Sequence, residues 1–117
     1  MPREKSDRTY VKDMIEFARQ TMDFTSGLDR NGYGETLIVR RAVERTVELI
    51  GEAAKYVSDE LRALYPDIPW RRIVGQRNIL VHDYGEVDDD LVWNLVESEL
   101  PSLIVKLERV VREEPES

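Results

Sequence analysis

Eight consecutive residues gather most of the side chains that could do chemistry: Arg77-Asn78-Ile79-Leu80-Val81-His82-Asp83-Tyr84. This segment contains the only histidine of the chain. Histidine moves protons near neutral pH, and arginine is an always-charged fork that can hold a phosphate. Together they can support cleavage of RNA without a metal. One group helps to remove the proton from the ribose 2′-OH while a cation steadies the charge growing on the phosphoryl oxygens. Only RNA carries that internal nucleophile. On a helix, Arg77 and Tyr84 fall within about 20° of each other, two turns apart. Asn78 and His82 stack on a neighbouring stripe. Arg77 and His82 are about 140° apart, so they can meet only across a groove, which a second copy of the same helix would supply. The same spacing also fits a histidine near a helix end touching the dipole or Asp83, with Arg77 in a salt bridge. Both readings stand on these residues alone.

Other constellations are weaker. Arg40, Arg41 and Arg45 form one basic cluster, and Arg71 and Arg72 with Arg77 form another. Both are candidates for RNA contact. For the first, a solvated face paired with Glu44 and Glu48 is an equal explanation. Asp23, Asp29, Glu35 and the run Asp88-Asp89-Asp90 lack the spacing of a calcium loop. With no cysteine and one histidine, the sequence excludes disulfides, thiol catalysis, Cys-ligated zinc and multi-His metal sites, and we expect neither metal nor cofactor. No Gly-rich phosphate loop and no nucleophile-elbow motif occurs.

The elements that must position these residues read as helices nearly throughout. Ser6 or Asp7 caps a first helix with an inward stripe of Tyr10, Met14, Phe17, Thr21 and Phe24. Residues 26–34, rich in Gly, Asn and Asp, signal a loop. A long helix follows from about Glu35 to Val57, with Gly51 suited to a close helix crossing. Ser58 caps a short helix that ends before Pro66, and Pro69 opens the segment that carries the motif. Gly85 suits the end of that helix. A last helix begins at Asp88-Asp89-Asp90, whose carboxylates complement its dipole, and Pro101 should kink or break it. Trp70 and Trp93 follow apolar spacing and belong to the core. The expected architecture is an all-α, up-and-down bundle of four to five helices in a single domain, residues 1–117, with an acidic tail frayed from about 113. No apolar run reaches the length of a membrane span and the N-terminus lacks an apolar signal core, so a cytoplasmic protein is expected.

The ensemble of motifs resembles the HepT-like branch of the HEPN superfamily. Arg77, His82 and Tyr84 match its Arg-x4-His-x-Tyr signature, with Ile68-Pro69-Trp70 and Asn78 in the expected surroundings. The stretch from Arg41-Ala42-Val43-Glu44 through Ile50-Gly51-Glu52-Ala53 is similar to the family's second helix. Val87-Asp88 and Val92-Trp93 resemble its last-helix entry, so the likeness covers residues ~40–105. The resemblance implies a homodimer whose motif helices face one another, and a metal-independent endoribonuclease with Arg77 and His82 as catalytic residues. Asn78 would orient His82 or a phosphate oxygen, with Asp83 in support. It also implies the toxin half of a toxin–antitoxin pair, silenced when a small nucleotidyltransferase places AMP units on Tyr84. An alternative from another class is a non-catalytic helical module that partners such a transferase and holds a nucleotide or phosphate.

Bulk charge argues against nucleic acid at first: the chain has 117 residues, 24 acids against 17 bases, and a net charge of −7. The excess is uneven. Residues 88–117 hold nine acids and three bases, whereas residues 69–82 hold three arginines and no acid. Two such windows brought together in a dimer would make a local positive cleft on an acidic body, with the acidic final helix and tail lying away from it.

Overall fold

A computed structural model describes residues 5–80 and 87–115, with the side chains of residues 77–80 left undescribed. The fold is all-α. Four long helical pieces carry it: α1 (Asp7–Thr25), α3 (Leu37–Lys55), α5 (Trp70–Leu80), and a last piece formed by α6 (Asp89–Asn94) and α7 (Leu100–Glu113). Two short helices, α2 (Arg30–Glu35) and α4 (Asp59–Leu64), bridge the long ones. The long α1 lies between α3 and α7, and α3 also packs on α5.

Capping follows from the local sequence. The hydroxyl of Ser6 accepts from the Thr9 N–H, and Ser58 does the same for Leu61, each filling one orphan donor of a helix start. The carboxylate of Asp7 accepts from both the N–H and the hydroxyl of Ser58, at 2.9 and 2.5 Å, and so ties the start of α1 to the start of α4. Asp88 caps α6 by accepting from Asp90 and Leu91.

The buried face of α1 is wider than a single stripe. Tyr10, Met14 and Thr21 are buried as the periodicity predicts, but so are Val11, Ile15, Ala18 and Thr25. On a helical wheel these residues fill an arc of about 140°, because α1 faces two neighbours at once. Phe17 and Phe24 fall just beyond one edge of that arc; Phe17 is half-buried and Phe24 is 40% exposed. Between α1 and α3, the hydroxyls of Thr21 and Thr46 meet at 2.6 Å inside the core. Each also lies within reach of a carbonyl of its own helix, so neither is an orphan.

Two expectations are corrected here. Residues 30–34, read as loop, and Glu35, read as the start of the long helix, form the helical turn and a half of α2, because Asp29 caps it through the Gly32 N–H and Tyr33 buries its whole side chain. The acid tail is also held further than expected: α7 runs to Glu113, and Tyr65 donates to the Glu114 carboxylate at 2.9 Å. Pro101 acts as anticipated, but the break appears before it. A π-helical turn spans Leu95–Glu99, and the Leu100 N–H reaches back five residues to the Leu95 carbonyl. Proline cannot donate, and its ring crowds the carbonyl four residues back, so the helix widens there instead of ending.

Two helices approach each other closely at Gly51. A Cβ at that position would sit 2.9 Å from the Ile73 carbonyl oxygen of α5, a contact that real side chains do not make. Gly75, also inside a helix, has open space where a Cβ would go. The two glycines should therefore respond with opposite signs to the same substitution. Gly51→Ala is expected to cost about 1–3 kcal/mol from overpacking, whereas Gly75→Ala should stabilise by about 0.5–1 kcal/mol from helix propensity. Urea unfolding of both variants checks this, and equal effects would contradict the crossing.

Candidate functional site

The motif helix α5 is seated by three polar contacts and one close approach. At its start, the Trp70 indole donates to the Tyr65 carbonyl at 3.0 Å, and the Ile73 N–H reaches the Pro69 carbonyl at 3.0 Å. The predicted first helical position thus falls one residue later, with Pro69 supplying the first acceptor. Along the helix, Gly51 of α3 admits the Ile73 carbonyl. Gln76, only 6% exposed, donates from Nε2 to the Val47 carbonyl at 2.8 Å. Going forward on α5 from Ile73 to Gln76 means going back on α3 from Gly51 to Val47, so the two helices are antiparallel. The next residue on α5 after this clamp is Arg77.

Arg77 and Asn78 lie on the last turn of α5, where only their backbone is described. His82, Asp83 and Tyr84, together with Gly85, fall outside the described residues, so their spatial relation to Arg77 stays an expectation. Arg71 and Arg72 are exposed on the first turn of α5. Arg71 has no carboxylate partner among the described residues, whereas Arg72 forms an ion pair with Glu99 of the π-helical turn. The last helical piece is therefore not wholly remote from the basic window, contrary to the expectation that its acids lie away.

The second basic cluster does not converge. Arg40 is half-buried and turns to Asp89 of α6 at 3.2 Å, while Arg41 spans both oxygens of Glu44 at 3.0 Å on the exposed side of α3. Arg45 pairs with Glu48 at 3.2 Å. The Arg41 and Arg45 pairs are the solvated ones that the sequence allowed for, whereas Arg40 reaches a part-buried carboxylate on α6, so each arginine already has a carboxylate.

A polar layer missed by the sequence reading joins α2, α3 and α6. Arg30 pairs with Asp90 at 2.6 Å, and this hydrogen bond raises its pKa further. Behind it, Tyr33 is fully buried and tilts against the Trp93 ring at 5.4 Å. The Tyr33 hydroxyl and the Arg40 Nε have no partner among the described atoms. Burial, with the nearby charges of Asp89 and Glu44, pushes the Tyr33 phenol well above its ordinary value. The Tyr65 phenol is pushed in the same direction by burial and by its bond to Glu114. Gln76 carried a readable signal: it sits at apolar spacing with Ile73, yet is polar. Tyr33 carried none, because a Gly-rich stretch hides a one-turn helix. Among the described residues, no group of three His, Asp or Glu side chains converges to hold a metal ion. No described helix is long and apolar enough to cross a membrane.

Comparison with known proteins decides the kinship. A family model described as "Ribonuclease HepT-like" matches residues 14–110. The chain belongs to the HepT-like ribonuclease family of the HEPN superfamily. Two HepT-like relatives show how far the likeness extends. One, from Methanocaldococcus jannaschii and named "Putative RNase MJ1380", is 35% identical over 103 residues, which are 88% of this chain and 94% of the relative. Another, from Thermococcus cleftensis and named "Probable ribonuclease HepT", is 32% identical over 107 residues, covering 92% and 97% of the two chains. No solved structure matches the chain. The HepT-like match runs through α1, α3, α5 and most of the last helical piece, including the motif segment and the Gly51 crossing.

The raised tyrosines give this HepT-like chain an alkaline limit. The folded state favours the neutral phenol, whereas the unfolded chain ionises it near pH ~10. Their contribution to stability is therefore complete below that pH and is lost as pH rises above it. Phenolate absorbance should show two tyrosines that ionise only with unfolding, and Tyr33→Phe should flatten the loss of stability above pH ~10. Ordinary titration of every tyrosine in the folded protein would contradict this.

Proposed function

We propose that this chain is a metal-independent endoribonuclease acting as a homodimer, a single domain with Arg77 and His82 as its catalytic residues. The observation that carries the reading is the family match across residues 14–110, which includes the whole of Arg77 to Tyr84, with relatives named as RNases. The seating of α5 supports it. Gln76 and Gly51 hold the motif helix at a set depth against α3, which a reaction depending on the placement of one guanidinium requires.

The chemistry balances without a cofactor. A group at the site takes the proton of a ribose 2′-OH, and O2′ attacks the adjacent phosphorus. The P–O5′ bond then breaks, leaving a 2′,3′-cyclic phosphate, and the departing 5′-oxygen takes up a proton. Arg77 steadies the charge on the phosphoryl oxygens, and His82 is the residue able to carry protons at neutral pH. A continued helix would set the two about 140° apart, so in this reading the pair acts across a cleft between two copies, with Asn78 and Asp83 supporting His82. Arg71 is the RNA contact we favour, since it has no carboxylate partner among the described residues, whereas Arg40, Arg41 and Arg72 are engaged by Asp89, Glu44 and Glu99.

The same reading makes the protein the toxin of a toxin–antitoxin pair. AMP units added to Tyr84 by a partner nucleotidyltransferase would bring anionic groups to the motif, seven residues from Arg77, and so compete for the phosphate site. In EDTA the protein should cut RNA and leave cyclic phosphate ends. His82→Ala and Arg77→Ala should each reduce cleavage by at least about 10²-fold while helicity and dimer mass stay unchanged. Activity retained in both variants removes the assignment. Co-expression with the transferase should add AMP masses to the peptide containing Tyr84, and a gain on any other residue would overturn that part.

A further inference from the structure

Beside the motif helix lies a groove of about 230 Å³ between α5 and the π-helical turn with the start of α7. Its floor is apolar, from Ile73 and Leu103, and its rim carries Arg72, Gln76, Ser98, Glu99, Ser102 and Lys106. The volume equals that of roughly eight water molecules in the liquid, room for one nucleobase. Arg72 precedes Arg77 by five residues, about 7.5 Å along the helix axis and about 140° around it, so a strand held at Arg77 reaches Arg72 by wrapping from one face of α5 to the next. The groove thus opens on the helix that carries the proposed catalytic arginine, one to two turns before it.

Its rim is not free. One Glu99 carboxylate oxygen meets a terminal nitrogen of the Arg72 guanidinium, and both side chains are partly exposed, 49% for Arg72 and 29% for Glu99. A carboxylate oxygen on a guanidinium nitrogen stands where a phosphate oxygen would stand. Such half-exposed pairs are weak and exchange readily. The π-helical turn is what displays Ser98 and Glu99 here, and π-turns recur at functional sites. Ser98 and Ser102 are one turn apart on the same wall and offer hydroxyls that both donate and accept.

We propose that this groove is a subsite for a nucleotide flanking the scissile bond, in which an RNA phosphate displaces Glu99 from Arg72. The proposal rests on the ribonuclease reading above. Glu99 acts as a resident phosphate mimic: it keeps Arg72 extended over the groove, and it sets a threshold that an anionic strand must exceed. The apolar floor takes the base or sugar, and the serine hydroxyls meet the polar edge of that group. A neutral ligand gains nothing from displacing Glu99, so the subsite selects for a phosphate joined to a planar or ring-shaped group.

The test uses the full chain and a fluorescent, uncleavable 2′-O-methyl RNA octamer, followed by anisotropy, beside cleavage of the matching unmodified RNA. Glu99→Gln should bind the octamer about three- to fivefold tighter, and Arg72→Ala about tenfold more weakly. In the Arg72→Ala background the gain from Glu99→Gln should vanish, which a general change of charge would not produce. Arg72→Lys should recover part of the affinity, and Glu60→Gln, an equal charge change on α4, should leave it unchanged. A wild type that cleaves RNA while Glu99→Gln binds with wild-type affinity overturns the groove and spares the ribonuclease reading. Equal tightening by Glu60→Gln overturns it too, as does an octamer that fails to bind any form. A wild type that cleaves nothing, yet shows the full cycle, removes the ribonuclease reading and keeps the groove as a site for single-stranded nucleic acid.

Discussion

Everything near the motif depends on how α5 rests on α3. At Gly51 the two backbones come so near that a methyl group would meet the Ile73 carbonyl, and three residues further along α5 the buried Gln76 amide grips the Val47 carbonyl. One contact sets the depth of the helix and the other sets its register. A buried amide is useful for the second task because it is directional. An apolar side chain in its place would fill the space but would tolerate sliding by a fraction of a turn. The residue that follows Gln76 is Arg77, so the placement of the proposed phosphate-binding group depends on these two contacts.

The last helical piece answers a different constraint. Pro101 cannot take part in a regular helical ladder, yet Leu95, Val96, Leu100 and Leu103 must all stay in the core. A π-helical turn resolves the conflict by adding a wider turn ahead of the proline, so that the apolar residues on both sides still face inward. A by-product is that Ser98 and Glu99 stand over the start of α5. The acidic balance of the chain is thus partly internal. Glu99, Asp89 and Asp90 neutralise Arg72, Arg40 and Arg30 in turn, which leaves the net charge a poor guide to where an anion could bind.

Tyr33 shows what a small bundle will do to close its core. A fully buried phenol with an unpartnered hydroxyl is costly. The ring, however, packs against Trp93, and a short helix made from a Gly-rich stretch is enough to carry it. The polar layer around it connects α2, α3 and α6.

The sequence by itself determined the helical class, the helix starts at Ser6, Ser58 and Asp88, the close crossing at Gly51, the break caused by Pro101, and the family through its motif. These are local matters: caps, periodicity and backbone sterics act within a few residues of the amino acids that cause them. Only the tertiary structure decided which arginines are engaged, that Phe24 lies outside the core while Val11 and Ile15 lie within it, that Tyr33 folds inward, and that Glu99 faces Arg72. Each of these joins residues far apart in the chain, 27 positions in the last case. Which carboxylate reaches which guanidinium is set by helix packing, and no pattern of neighbours along the chain encodes it. The arginines looked alike in sequence; their partners across the bundle made them different.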